Sequence, residues 1–313
     1  MDRNVIVSNH VICYVKKVEP IAKSRQQVLA RRMTAETEDH TTRSELASEY
    51  APKGTFVAEV ATADSRLAQF SIEFTTDKPG ELKEVTEILE KHKVNILSGC
   101  HELARWTFFA NLTHSDTSTA QLGQELKTLA DVKKVQTQDG LNGVIVDALH
   151  HPLMMGTNRA ILFRLDTIGS MFSRPREIFG TNGALGKVLL HQMGRAGGQQ
   201  SLRGFAETFG KSRTREQLSN IMNMYAAGGW GVFKLIDVDF DHGVAVVQAF
   251  DNFECVTHRG EGGEPYSEYV RGDLAGLFSE VFDRKVEAVE TQCIVQGAPF
   301  CRFEIAPAAG GTA

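Results

Sequence analysis

The residues of this chain best suited to chemistry lie close to its C-terminal end, between Glu290 and Cys301. Cys293 and Cys301 are each four residues from Gly297, so a turn centred on this glycine would bring the two thiols face to face. Opposed side chains in an antiparallel pair have Cβ atoms about 4.5–5.5 Å apart. Two thiolates at this distance, with Glu290 as an oxygen ligand, suit zinc. The segment therefore predicts a metal site made of Glu290, Cys293 and Cys301.

This metal site requires a local distortion of the strand that carries Glu290. Successive side chains of a strand point to opposite faces. Glu290 precedes Cys293 by three residues, so in a regular strand it would point away from that thiol. A bulge or bend between them is therefore expected. The alternative is that both cysteines are small buried apolar residues in a core hairpin.

The segment from Tyr269 to Ile305 reads YVRGDLAGLFSEVFDRKVEAVETQCIVQGAPFCRFEI. It resembles the end of a 4-vinyl reductase domain, a small-molecule-binding module of several aromatic-sensing bacterial regulators. The RGDLAG helix start, the E-x2-C-x7-C spacing and the CRFEI strand carry the resemblance. Zinc-bearing members of this family have a further cysteine just before the G-x-x-A-G helix, where this chain has Ser267. Cys255 or His258 could supply the missing ligand if the loop folds back, or water could.

The resemblance extends over residues 152–306 and implies an α+β domain with an antiparallel sheet. Domains of this family enclose aromatic or lipid-like molecules, and such pockets need apolar walls with a few polar groups. His191, Tyr225 and Trp230 are the candidate lining residues. Each could instead be an ordinary core residue, and His191 could face solvent. The glycine-rich run 194–198 is expected to lie between two helices.

Residues 66–143 show a different pattern, in which strand and helix periodicities alternate in the order β-α-β-β-α-β. This order is typical of the ferredoxin-like arrangement. The segment DKPGELKEVTEILEKHKVNI resembles the opening of an ACT domain, a module that binds amino acids or other small effectors, often at a dimer interface. The resemblance implies that Asp77, Gly80 and Asn95 line an effector site. The alternative is a dimerisation module in which Gly80 serves only the turn.

Composition restricts the remaining possibilities. A chain of 313 residues is long enough for two domains, and its net charge of −5 gives no general attraction to nucleic acid or anionic membranes. No apolar run approaches the roughly 20 residues that span a bilayer. The N-terminus lacks a signal-peptide pattern, and five scattered cysteines do not indicate a disulfide framework. We therefore expect a cytoplasmic protein with a charged, partly helical segment at 1–65 and a flexible tail at 307–313.

The functional prediction is a ligand-sensing regulatory protein rather than an enzyme, since the sequence has no P-loop, no G-x-S-x-G elbow and no G-x-G-x-x-G after a strand. His150 and His151 are interpreted as part of a linker. We expect a homodimer that binds a small-molecule effector, acts on an unknown output partner, for example in transcription regulation, and contacts neither nucleic acid nor membrane directly. The alternatives are an enzyme or assembly factor of tetrapyrrole or aromatic metabolism, and a ligand-free interaction scaffold.

Overall fold

A computed structural model describes residues 56–155, 158–179, 184–209 and 214–308, with the backbone alone for 205–209. These residues belong to two compact units, divided between Leu162 and Phe163. Most of the charged segment predicted for residues 1–65 lies outside the described residues, as does most of the tail predicted for 307–313. Across the described residues, every helix is either too short or too polar to span a bilayer.

The first unit contains the predicted succession of strand, helix, strand, strand, helix and strand, with short strands on either side. Its elements are β1 (Ala58–Val60), β2 (Leu67–Phe74), α1 (Leu82–Lys91), β3 (Asn95–Glu102), β4 (Arg105–Asn111), α2 (Thr119–Leu126), β5 (Val132–Asp139), β6 (Val144–Val146), β7 (Met154–Met155) and β8 (Asn158–Arg159). Four strands form one antiparallel sheet in the order β3-β4-β2-β5. β1 and β6 pair with each other, as do β7 and β8.

Both faces of this sheet are covered. Phe70 and Ile72 of β2 point to one face, where they pack with residues of α1 and α2 in a single buried cluster. Residues at alternate positions, such as Leu67, point to the other face. There Leu67 and Phe109 pack with Ile145 of β6. The second face is therefore partly buried, and the polar side chains on it are shielded from solvent.

The second unit combines four helices with one antiparallel sheet. Its elements are α3 (Leu165–Ile178), α4 (Ala184–Phe209), α5 (Arg215–Ala227), β9 (Val232–Asp239), β10 (Val244–Phe250), α6 (Glu268–Phe282), β11 (Val286–Gln292) and β12 (Cys301–Pro307). The strand order is β11-β12-β10-β9. The predicted α+β class with antiparallel sheets is thus confirmed. Thr214 caps α5 through a capping box with Gln217, as its spacing suggested.

The glycine-rich run 194–198 lies inside α4, so the prediction that it separates two helices was wrong. Cβ atoms on Gly194 and Gly198 would lie 2.0 and 1.9 Å from backbone oxygens of α6. Gly272 and Gly276 of α6 meet backbone oxygens of α4 in the same way, at 2.0 and 2.1 Å. Residues four apart lie on one face of a helix. The glycines therefore allow the two backbones to touch, and this close packing outweighs their low helix propensity.

We predict that Gly198→Ala lowers the free energy of unfolding by about 2–3 kcal/mol, because the added methyl group overpacks a helix contact that has no space for it. Chemical denaturation followed by circular dichroism measures the change. Gly169→Ala in α3 is the matched control, since a Cβ there meets nothing within 4 Å. This control should be neutral or stabilising by about 0.5–1 kcal/mol. Equal stabilities for the two variants would contradict the close packing of α4 and α6.

Candidate functional site

Three thiols and one carboxylate meet inside the second unit. Cys255, Glu290, Cys293 and Cys301 each offer a ligand atom, and these atoms all lie within 4.8 Å of one another. All four residues are buried. We call these four residues the thiol cluster. Its members come from the loop after β10, from β11, from the turn after β11 and from the start of β12.

The strand distortion that the shared site requires is present in β11. The pairing of β11 with β12 shifts its register between Glu290 and Gln292. An extra residue on one strand changes the face to which the following side chains point. Glu290 and Cys293 therefore reach the same cluster, although they are three positions apart in sequence.

The spacing of the sulfur atoms suits a tetrahedral metal ion. The Sγ atom of Cys293 is 3.7 Å from that of Cys255 and 3.9 Å from that of Cys301. Zinc–sulfur bonds of about 2.3 Å in tetrahedral geometry separate the sulfur atoms by about 3.8 Å. Three sulfur donors and one carboxylate oxygen also match the ligand preferences of zinc. These residues could therefore hold a structural metal ion.

Ser267, at the position where the family resemblance implies a cysteine, supports the cluster through hydrogen bonds. Its hydroxyl group donates to Glu290 Oε1 at 2.8 Å, and its backbone N–H donates to Glu290 Oε2 at 3.0 Å. Asn252 Nδ2 donates to Ser267 Oγ at 2.8 Å. Cys255 lies beside it, with its Sγ 3.0 Å from Ser267 Oγ. The serine thus orients the carboxylate, and Cys255 supplies the third thiol.

The other substitute considered from the sequence, His258, does not join the cluster. Its Nδ1 lies 3.0 Å from Glu261 Oε2, and its ring lies 4.6 Å from that of Tyr266. Of the two candidates, the fold therefore selects Cys255.

Burial makes the cluster electrostatically costly without a cation. Burial, together with the neighbouring Cys293, raises the pKa of Glu290 to about 8. Contacts with Cys293 and Cys301 raise the pKa of the Cys255 thiol, whereas contacts with Cys255 and Cys301 lower the pKa of Cys293. Buried charges are normally paired or bound to metals. A divalent cation would offset this cost.

Glu254, which sequence reasoning did not single out, fixes the start of α6 next to the cluster. Its carboxylate accepts hydrogen bonds from the backbone N–H groups of Tyr269, at 3.0 Å, and Val270, at 2.9 Å. Arg176 of α3 donates to the same carboxylate at 2.7 Å. The side chain of Glu254 is completely buried. No local pattern in the sequence distinguishes this glutamate from a solvent-exposed one.

Two of the three predicted pocket residues belong to a group of contacting rings. Tyr225 and Trp230 have ring centroids 5.3 Å apart, and Trp230 also lies 5.0 Å from Phe253 and 5.8 Å from Tyr269. We call the following residues the aromatic cluster: Phe172, Tyr225, Trp230, Phe233, Phe253 and Tyr269. Trp230 and Tyr269 are half-buried, and the other four are buried.

The third predicted residue, His191, makes a different contact. Its Nε2 lies 3.4 Å from Glu287 Oε2 on β11, where Arg195 also binds, with an N–O distance of 3.1 Å. Its Nδ1 is buried without a hydrogen-bond partner. His191 thus helps to attach α4 to the sheet.

A buried carboxyl group lies against the aromatic cluster. Asp273 of α6 is 2% exposed and accepts a hydrogen bond from the hydroxyl group of Tyr225. Burial raises the pKa of Asp273 to about 7, although the bond from Tyr225 acts in the opposite direction. Sequence reasoning missed this residue, but an acidic residue within the apolar periodicity of α6 was a signal that could have found it.

In the first unit, Asp77 lies at the end of the sheet with Glu81 and His101. Their ligand atoms are all within 4.8 Å of one another, and His101 Nε2 is 2.5 Å from Glu81 Oε1. Gly80, in the same turn, has a φ of +87°, which favours glycine. Asp77 and Gly80 therefore share one turn, as their spacing predicts.

Asn95 lies at the opposite end of the sheet. It begins β3, whereas His101 comes six residues later on the same strand, so the two are about 20 Å apart at about 3.3 Å per residue. Asn95 lines an open groove of about 450 Å³ together with Glu90 and Lys93. Within one chain, Asn95 therefore does not meet Asp77 and Gly80.

Comparison with known proteins places one family within the second unit. Residues 245–307 match the model of the 4-vinyl reductase domain, and this segment contains all four residues of the thiol cluster together with Asp273. The match agrees with the resemblance predicted from the sequence of this region. No curated protein matches the chain at a significant level.

Several solved structures resemble part of the chain. The phenol-responsive sensory domain of the transcription activator PoxR, solved with phenol, is 20% identical, with 49% of this chain and 79% of that chain covered and a TM-score of 0.43. A vinyl-4-reductase family protein from Methanocaldococcus jannaschii is 17% identical over 47% and 82%, with a TM-score of 0.31. A trafficking protein particle complex subunit 3 from Naegleria fowleri, covalently bound to palmitic acid, is 15% identical over 45% and 91%, with a TM-score of 0.35.

We predict that Cys255→Ser weakens zinc binding at least about 100-fold, since even residues that only orient metal ligands contribute 10–100-fold. Cys293→Ala should likewise lose zinc and lower the Tm. Metal analysis of the purified variants measures the zinc content per chain. Cys100→Ser is the matched control, because Cys100 is an exposed free cysteine. Full zinc occupancy in the Cys255 variant would remove this residue from the metal site.

A second prediction concerns the pH dependence of stability. The pKa of Asp273 is about 7 in the folded chain against an ordinary value of 3.8, so the folded state keeps a proton that the unfolded state has lost. The contribution of Asp273 should therefore fall between about pH 4 and pH 7, by up to about 1.4 kcal/mol per pH unit. Asp273→Asn should lack this decline. Parallel stability profiles of the two proteins from pH 4.5 to 8 would contradict the shift.

Proposed function

We propose that this chain is a ligand-sensing regulatory protein whose second unit binds a small aromatic molecule. The observation that carries the proposal is the Tyr225–Asp273 pair beneath the half-buried ring of Trp230. It combines apolar walls with a small polar group, as binding sites for small molecules do. The match of residues 245–307 to the 4-vinyl reductase domain supports the same interpretation.

The chemistry of the pair favours a ligand that carries a hydroxyl group. A carboxyl group with a pKa of about 7 is present in both protonation states near neutral pH, so it can donate or accept a hydrogen bond. A phenolic hydroxyl could take the place of Tyr225 as its partner. Because the rings of the aromatic cluster are in contact, entry requires displacement of a ring. Trp230 and Tyr269 are only half-buried and therefore the easiest to displace.

A zinc ion bound by the thiol cluster would have a structural role in this proposal. The four ligands come from the loop after β10 and from the hairpin of β11 and β12, and a shared ion would join these segments. Ser267 links them to the start of α6. A closed set of four protein ligands is typical of structural rather than catalytic zinc.

We further propose that the first unit is an ACT domain with a ferredoxin-like fold, and that it dimerises. The strand β3 lies at the edge of the sheet, and Ile96 and Leu97 on it are 38% and 37% exposed. Such an edge can pair with another chain. Asp77 and Asn95 are far apart in one chain, so only a second copy could bring them to one effector site. An output partner would then read the state of the dimer.

Intrinsic fluorescence can test ligand binding, since the chain has two tryptophans. Trp106→Phe leaves Trp230 as the only tryptophan that emits, and Trp230→Phe serves as the matched control. We expect phenol to change the emission of Trp230 in a saturable manner. Toluene, which has a similar shape but no hydroxyl group, should bind about tenfold more weakly because one hydrogen bond to a charged or polar partner is lost. The absence of saturable change with either compound would favour a ligand-free scaffold.

A further inference from the structure

The first unit contains a serine, a histidine and a carboxylate in a hydrogen-bonded line that the proposed sensor does not use. Ser71 Oγ lies 2.9 Å from His150 Nε2. His150 Nδ1 lies 3.0 Å from both carboxylate oxygens of Asp147. Ser71 is on the central strand β2 and 4% exposed, whereas the side chain of His150 is 27% exposed. The interpretation of His150 as part of a linker is therefore replaced by a role on the sheet.

The hydrogen-bond network determines which ring nitrogen of His150 carries the proton. Asp147 is held in place by the loop, since its Oδ1 also accepts from the backbone N–H groups of Leu149, at 3.0 Å, and His150, at 3.2 Å. An ionised carboxylate only accepts hydrogen bonds. Nδ1 of a neutral His150 must then carry the proton, which leaves Nε2 as an acceptor. Thr107 Oγ1 donates to Ser71 Oγ at 3.3 Å, so the Ser71 hydroxyl proton points to His150.

A second observation indicates that this face of the sheet receives a polar group. Gln69 lies two positions before Ser71 and points to the same face. It is 0% exposed, and neither its Nε2 nor its Oε1 has a hydrogen-bond partner. Buried polar side chains without partners are rare in folded proteins and usually mark an unseen ligand or water. A side-chain amide is also a group that can stabilise an oxyanion.

We propose that Ser71, His150 and Asp147 form an activated serine that accepts an acyl group from a small carboxylic ester. Ser71 Oγ attacks the ester carbonyl carbon while its proton passes to His150 Nε2. The bond to the leaving alkoxide then breaks, and the alkoxide takes that proton and departs as an alcohol. Water attacks the acyl-serine by the same route, which releases the carboxylic acid and restores Ser71. The low exposure of Ser71 restricts the acyl group to a small one.

Labelling of the whole chain tests the proposal. A small alkyl fluorophosphonate should form one adduct per chain, which peptide mass spectrometry should locate on Ser71. p-Nitrophenyl acetate should give a burst of nitrophenolate of about one equivalent. Ser71→Ala should abolish both signals. His150→Gln should slow labelling at least about 100-fold, because it removes the general base.

A purely structural role for the three residues predicts a different pattern. His151→Gln is the matched control, since His151 is the adjacent histidine and is exposed. It should label at the wild-type rate. Asp147→Asn should slow labelling at least about tenfold while circular dichroism still shows folded protein. Wild-type protein that stays unlabelled, an adduct on another serine, or equal labelling rates in the His150 and His151 variants would overturn the proposal.

Discussion

The anchoring of the first turn of α6 by buried carboxylates is the interaction on which the second unit depends. Glu254 accepts hydrogen bonds from the N–H groups of Tyr269 and Val270, and Glu290 accepts from that of Ser267. Negative charge is stabilised at a helix N-terminus, where N–H groups have no partner within the helix. This compensation allows two acidic groups to be buried side by side. The thiol cluster and Asp273 are both positioned by the same helix.

Three consecutive residues connect the parts of this unit. Phe253 belongs to the aromatic cluster, Glu254 caps α6 and Cys255 belongs to the thiol cluster. Movement of Phe253 would therefore be transmitted to the helix cap and to a thiol ligand through the backbone of one short loop. On its other side, α6 touches α4 along glycines that leave no space for adjustment. A contact this close favours discrete positions of α6 over gradual displacement, which is what a binding signal requires.

The first unit distributes its functional groups differently. One face of its sheet is apolar and packs against α1 and α2, whereas the other buries a polar row with Gln69, Ser71 and Thr107. The segment that follows β6 brings Asp147 and His150 onto this row. Burial of polar groups is costly unless they are hydrogen-bonded. The line from Thr107 to Asp147 satisfies this requirement and at the same time creates the arrangement of an activated serine.

Features that depend on local spacing could be predicted from the order of the residues alone. Alternation and helical periodicity predicted the succession of elements in the first unit, and the spacing of Glu290, Cys293 and Cys301 indicated both the thiol cluster and the bend it needs. Folding was required to show that Cys255 completes the cluster, 38 residues from Cys293, and that His150 meets Ser71, 79 residues away. The same holds for the glycines of α4, which lie within a helix because another backbone packs against them. These contacts join residues far apart in the chain, and the periodicities of helices and strands carry information only about neighbours along it.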